Sequence, residues 1–498
     1  MSDNFYTNVV CIGNNILYRG IKNGKRVNEK IAYQPTLYLP TKKETKFKTL
    51  FGESLEPKRF ENIREARDFV KRYDEVGNFK IYGNNRYEYA FIAEKEGGST
   101  EYDTEKVSIC VIDIEVSSSN GFPDPYIAQE PITAICLRFV RGETIIFGCG
   151  EYDNIDQKFT YVKCEGEWEL CKKFLQYWQD NCPDIISGWN IKFFDIPYLF
   201  NRFNKLLGEK ETKRLSPWGL INERKVFAMN KENIAYELIG VATWDYMELY
   251  RWYAPGGKSQ ENYRLDTIAN SEIGEKKLSY DEYDNLHSLY RLNYQKFIDY
   301  NAYDTELIIR LDDKLRLFDM GLTLAYDTKC NYEDIFAQTR MWDALIYNYL
   351  LDQNIIVPPK SVGSKDERFE GAYVKDPQIG MHKWVASFDL DSLYPHLMMQ
   401  YNLSPEMLVD PQDYTPEMRE LISQGVSVDK LISKQIDLSD LKGVTLTPNG
   451  QFFKTEKQGF LPKMLEEMYE DRKKYKKLML HSEQEYENVL KEMWKRGL

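Results

Sequence analysis

From Val107 the chain runs through three apolar, β-branched stretches, VSICVIDIEV, ITAICLRFV and TIIFGCG, then a helical stretch from Glu167 to Trp178 and a further strand-like stretch, DIISGWN. Strands interleaved with helices predict a sheet with helices packed on it, so this region is expected to be α/β. The residues before it read differently. Short alternating strands such as IAYQPTLYLP precede a segment in which Phe60, Ile63, Ala66, Phe69, Val70 and Tyr73 share one helical face, the pattern of a small α+β unit. The loop EGGST separates the two.

Further along, RKVFAMNKENIAYELIGVATWD, from Arg224 to Asp245, has two β-prone arms about NKEN and predicts a hairpin. PPKSVGSKDERFEGAYV is loop-like and precedes an expected strand at KWVASFDL. After TPNGQFFKTEKQGFLP the chain is expected to be helical, with Met464, Leu465, Met468, Leu478, Met479, Val489, Leu490, Met493 and Trp494 as its apolar positions. At 498 residues, about three or four domains are expected.

No apolar run of membrane-spanning length occurs, and MSDNFYTNVVCIG lacks a secretory pattern, so a soluble, cytoplasmic protein with no membrane partner is expected. Eight cysteines form no CxxC and four histidines offer no zinc-site spacing, which fits a reducing compartment. The net charge of −12 argues weakly against nucleic acid, because total charge does not report where basic residues cluster.

The chemistry lies in the carboxylates. VIDIEV sets Asp113 and Glu115 two apart in a strand, so both point to one face and repel unless a cation separates them. Acidic residues number 78 of 498, so such a pair alone is also what a strand end meeting solvent looks like. Two further carboxylates sit in equally unusual settings. Asp195, in SGWNIKFFDIPYLFNRF, lies among Phe193, Phe194, Ile196, Tyr198, Leu199 and Phe200, where an unpartnered charge is costly. Asp304, in IDYNAYDTELIIR, follows Tyr300 by four residues, which places both on one face of a helix; a capping or first-turn aspartate is the alternative. Four carboxylates from three segments are the ligand set expected for two divalent cations, Mg2+ or Mn2+, that activate water and neutralise a leaving oxygen.

DIE, then GWNxxxFDxPY, then YNxxD resembles the exonuclease motifs of family B DNA polymerases, in wording nearest the T-even-like bacteriophage branch. The resemblance implies a ribonuclease H-like 3′ to 5′ exonuclease domain. In it Asp113, Glu115, Asp195 and Asp304 hold the metals, Tyr300 orients water, and Asn190 and Phe194 contact the frayed 3′ end. It also implies that the 224–245 hairpin helps part primer from template.

ASFDLDSLYPHLMMQYNLSPE resembles the motif A of the same family. The resemblance implies that Asp389 and the Leu390 carbonyl bind two catalytic metals, that Ser392 and Leu393 lie beside a dNTP, and that Tyr394 packs under its sugar. A turn or cap aspartate is the plainer reading of Asp389 alone. Asp391 adds a carboxylate where relatives often have a neutral residue, and His396 stands where serine is usual. FEGAYVKDP resembles a template-holding segment, here Gly371, Ala372, Tyr373 and Val374. EDRKKYKKL puts Arg472 and Lys476 four apart on a helix, resembling the first fingers helix that grips a triphosphate; a solvated basic face is the alternative.

These resemblances imply five parts: an N-terminal domain over 1–106, an exonuclease domain over 107–317, a return to the N-terminal domain over 318–370, a partial palm over 371–458 and the start of the fingers over 459–498. No DTDS-like hairpin or second fingers helix of the KxxxNSxYG type follows Asp389. The expectation is therefore a split polymerase, with a second polypeptide completing palm, fingers and thumb, and with single-stranded and primer–template DNA, dNTP and a sliding clamp as partners. A stand-alone exonuclease with a polymerase remnant and a noncatalytic DNA-binding subunit are the alternatives.

Overall fold

The computed structural model describes residues 3–73, 76, 79–97, 100–118, 121–155, 157–228, 231–359, 376–439 and 441–496. The chain divides into two compact units, residues 1–362 and 363–498. Among the described residues no helix is long and apolar enough to cross a membrane.

In the first unit, Phe5–Ile12, Asn15–Lys22 and Lys25–Ala32 form an antiparallel three-stranded sheet, and Thr36–Pro40, Ser54–Arg59 and Phe47–Lys48 form a second. The expected amphipathic helix is Ile63–Tyr73, with Ile63 and Ala66 buried. Later helices Leu317–Thr328 and Gln338–Asp352 return to this region, where Tyr6 Oη donates to the Cys330 carbonyl at 2.9 Å and Val9 N–H donates to Asn331 Oδ1 at 2.8 Å.

The expected α/β region forms a six-stranded sheet in the order Thr160–Lys163, Thr144–Gly148, Ile132–Phe139, Ile109–Val116, Ile185–Gly188, Ala242–Asp245. Ile132–Phe139 pairs antiparallel with both neighbours, and the strands on the far side of Ile109–Val116 run parallel to it. Alternate residues of the central strand face opposite ways. Cys110, Ile112 and Ile114 pack into the core under helices Glu167–Asp180 and Asp195–Leu207, while Ile109 and Val111 enter the core on the other face. Asp113 and Glu115 share the odd-numbered face, which helix Tyr294–Leu315 covers through Phe297, Ile298 and Ala302 against Ala134, Cys136 and Ile146.

The hairpin is shorter than expected. Its strands are Ile221–Ala228 and Lys231–Leu238, and they form their own two-stranded ribbon. Ala242–Asp245, counted with the second arm in the sequence, belongs instead to the six-stranded sheet, because Gly240 takes a left-handed φ of 96° and turns the chain.

In the second unit, a core of Val409, Met418, Leu446 and Phe452 gathers helix Pro416–Ser423 and the two-stranded Val444–Leu446/Phe452–Lys454 sheet. The strand expected at KWVASFDL is absent: residues 383–390 take no regular structure. A strand requires a hydrogen-bonded neighbour, and no described strand lies along this segment. Helix Leu393–Tyr401 follows, and the expected C-terminal helix is Phe460–Lys495, of which only Pro462 and Met464 are buried.

Candidate active site

Two structural periods bring the carboxylates together. On the central strand, Asp113 stands opposite Cys136 and Glu115 opposite Ala134, so the period of two aims both acids at helix Tyr294–Leu315. On that helix Tyr300 and Asp304 are one turn apart and both buried. Asp304 lies in the middle of the helix, which removes the capping alternative. One oxygen from each of Asp113, Glu115 and Asp304 lies within 4.8 Å of the others. The helix is fastened to the sheet beside them: Asn301 Nδ2 donates to Asp113 Oδ2 at 2.6 Å, and Arg138 Nε donates to Thr305 Oγ1 at 3.1 Å.

Asp195 arrives from the opposite face, at the first residue of helix Asp195–Leu207. Its Oδ1 accepts the Ile114 N–H at 3.1 Å, and it stands beside the three-acid cluster rather than within it. The turn that delivers it is tightly specified. A Cβ on Gly188 would lie 2.5 Å from the Ile112 carbonyl oxygen, so only glycine lets the turn approach the central strand. Asn190 then takes a left-handed φ of 62°. Asp245 clamps the turn by accepting N–H donors from Asn190 at 3.0 Å and Lys192 at 3.2 Å, and it also caps the helix Tyr246–Tyr253. Burial pushes the Asp245 carboxyl up to about 6.

The electrostatics favour a cation. Burial, then Glu115, Asp304 and Asp195, hold the Asp113 carboxyl well above its ordinary range. Burial first, then Asp304, raises Glu115; burial likewise raises Asp195 and Asp304. One ammonium stands among these acids. Lys277 makes a salt bridge with Asp304 and donates to Tyr300 Oη at 3.2 Å. Burial works against its charge, but Asp304, Tyr300 and Asp113 more than compensate and raise its pKa. Asp304 Oδ1 is buried and accepts no hydrogen bond. Crowded, desolvated carboxylates with an unpartnered oxygen fit an oxygen-ligated divalent cation, with Asp113, Glu115 and Asp304 as the residues that could hold it.

The turn that leads into Asp195 also walls a cavity of about 370 Å³, lined by Phe122, Tyr126, Asn190, Phe193, Phe194 and Asn233, among others. Phe122 is 87% exposed, and its ring centroid lies 5.4 Å from that of Phe194. Phe122 is the exposed member of this pair, while Phe194 is half-buried against the core.

Sequence reasoning missed Lys277, Asn301, Asp245 and Phe122. Lys277 sits in the polar stretch EKKLSY, where no periodicity marks it. Phe122 had a faint signal, an aromatic in the otherwise polar and proline-rich SSSNGFPDP.

The second constellation is more open. Asp389, Leu390 and Tyr394 are exposed, and among the described residues Asp389 belongs to no cluster of three metal-ligating side chains. Ser392 caps helix Leu393–Tyr401 in a left-handed conformation with φ 50°, and Leu393 is its first residue. Arg472 and Lys476 share an exposed face of the long helix, as expected. Arg472 is already engaged: its Nη1 lies 3.2 Å from Asp391 Oδ1, and Tyr469 Oη donates to Asp391 Oδ2 at 3.2 Å. The Arg472 guanidinium and the Tyr469 hydroxyl hold the Asp391 carboxyl below its ordinary range. Gly371 and Tyr373, with Ala372 and Val374, lie outside the described residues.

Residues 72–268 match the exonuclease domain of DNA polymerase family B, and residues 335–494 match DNA polymerase family B. The DNA-directed DNA polymerases of Escherichia phage RB69 and Enterobacteria phage T4 are each 29% identical to this chain over 98% of it. The DNA polymerase delta catalytic subunit of Glycine max is 27% identical over 74% of it. The chain spans 55% of the length of each phage relative, and 33% of the plant one.

Proposed function

This chain belongs to DNA polymerase family B, and we propose that its first unit removes nucleotides from DNA 3′ ends while its second unit forms one wall of a nucleotidyl-transfer site. The observation that carries the nuclease reading is the convergence of Asp113, Glu115 and Asp304 within 4.8 Å, with Asp195 beside them. Two Mg2+ or Mn2+ ions on these four residues would supply an activated water and charge neutralisation at the leaving oxygen. The chain's own groups do the rest. Tyr300 orients the water, and Lys277 offsets charge building up at the phosphate. Phe122 and Phe194 stack the unpaired 3′ base, Asn190 contacts its sugar-phosphate, and the Ile221–Leu238 ribbon, whose Phe227 is 77% exposed, parts it from the template. Three antiparallel strands continued by parallel ones, with helices on both faces, support a ribonuclease H-like domain over 107–317.

In the second unit, Asp389 and the Leu390 carbonyl take the metal side of the site. Ser392, Leu393, Arg472 and Lys476 are assigned to the triphosphate and Tyr394 to the sugar; Gly371 and Tyr373 keep their template role only as what the motif implies. Two-metal transfer needs more than one carboxylate. Polymerisation is therefore assigned to this unit together with further palm, fingers and thumb segments, in the same or a second polypeptide.

The test is metal-dependent digestion of 3′-labelled single-stranded DNA by wild type and by Asp113→Ala. Activity lost in the variant, with its thermal unfolding retained, is the expected result. A wild type that binds DNA without ever digesting it would leave the noncatalytic reading in place.

A further inference from the structure

We infer that Tyr126 is a positioning residue that ties the outer part of the strand-parting ribbon to the rim of the nuclease cleft, and so sets the preference between paired and single-stranded 3′ ends. The inference rests on the exonuclease reading and deepens it.

The ribbon pairs only with itself, and two strands alone are marginally stable in water. Its stance therefore depends on what grips its edges. Near its base, Tyr236 is held by helix Asp195–Leu207: its ring stacks on Phe200 at 4.2 Å between centroids, and its hydroxyl donates to Asn201 Oδ1 at 3.3 Å. Two residues nearer the tip, the Ile234 N–H donates to Tyr126 Oη at 3.2 Å. That second grip comes from the rim loop, not from the helix.

The rim loop is itself braced. Asp124 Oδ1 accepts N–H donors from Tyr126 at 2.8 Å and Ile127 at 3.1 Å, and Asn201 Nδ2 donates to the Pro125 carbonyl at 3.0 Å. Tyr126 also lines the cavity that Phe122, Phe194 and Asn190 form at the turn leading into Asp195. One side chain thus touches both elements: it helps wall the cavity for the unpaired base, and its hydroxyl holds the ribbon that must split a pair before a base can enter. A single-stranded end needs only the wall. A paired end needs both.

Tyr126→Phe keeps the ring and removes the tie. Wild type and variant are compared on a single-stranded 3′ end and on a matched primer–template of the same sequence, with hydrogen exchange following the 232–236 backbone. The expected result is a rate on paired ends that falls about two- to tenfold further than the rate on single strands, the size of one net hydrogen bond, and faster exchange in 232–236. Equal losses on both substrates would make Tyr126 a simple wall residue and overturn the inference, as would no change on either. A wild type without metal-dependent digestion of any end would instead overturn the exonuclease reading and take this inference with it.

Discussion

Lys277 donates to Asp304 inside the acidic cluster, and the same nitrogen lies 3.2 Å from the Tyr300 hydroxyl. This one ammonium is the counter-charge to carboxylates that burial already pushes upward. Replacing it as Lys277→Met leaves Asp304 buried without its ionic partner, at an expected cost of about 1–3 kcal/mol in urea unfolding without metal. Adding Mn2+ should raise the Tm of the variant more than that of wild type, because the ion substitutes for the missing charge. Equal Mn2+ shifts would refute a shared electrostatic site.

Gly188→Ala forces a Cβ to 2.5 Å from the Ile112 carbonyl. The turn must retreat from the central strand and carry Asp195 with it. Digestion is expected to fall by about 10- to 100-fold, the usual consequence of a misplaced catalytic group. Full activity in a folded variant would show that Asp195 does not depend on this approach.

Asp312 offers a pH test away from the acidic cluster. Its buried carboxyl, pushed from an ordinary 3.8 up to about 6, accepts the Phe318 N–H at 3.0 Å and the Tyr246 hydroxyl at 3.1 Å through Oδ1. A carboxylate raised on folding binds its proton more tightly in the folded chain, so its contribution to stability is greatest below the unfolded value and declines as pH rises through about 6. Asp312→Asn keeps the acceptor and removes the titration. Between about pH 4 and 6.5 its unfolding free energy is expected to fall less steeply with pH than that of wild type, by roughly 1 kcal/mol per pH unit. Parallel curves would contradict the raised value.

In the second unit, Asp391 forms an ion pair with Arg472, the residue proposed to meet a triphosphate. If Arg472 meets a triphosphate as proposed, that carboxylate has to be displaced and its charge approached. Asp391→Asn is expected to tighten Mg2+·dNTP binding severalfold in a direct calorimetric titration, and Arg472→Ala to weaken it in either background. Unchanged affinity in Asp391→Asn would mean that the ion pair does not compete with nucleotide.

Much of the site was legible because side-chain direction is a local property of the backbone. A period of two in VIDIEV is enough to set Asp113 and Glu115 on one face, and a period of 3.6 is enough to align Tyr300 with Asp304. The apolar surroundings of Asp195 announced a buried charge in need of a partner. Which segments meet is a different kind of fact. Asn301 reaches Asp113 across 188 residues, Lys277 comes to the acids from a polar loop, and Asp391 finds Arg472 on a distant helix. KWVASFDL has the composition of a strand but no described neighbour to pair with, and the second arm of the hairpin ends at Leu238 because its continuation finds a place in the larger sheet. Composition and periodicity follow from bonds within a few residues. Contacts between distant segments depend on how the packed elements exclude water and satisfy one another's polar groups, and that is decided only when the whole chain has folded.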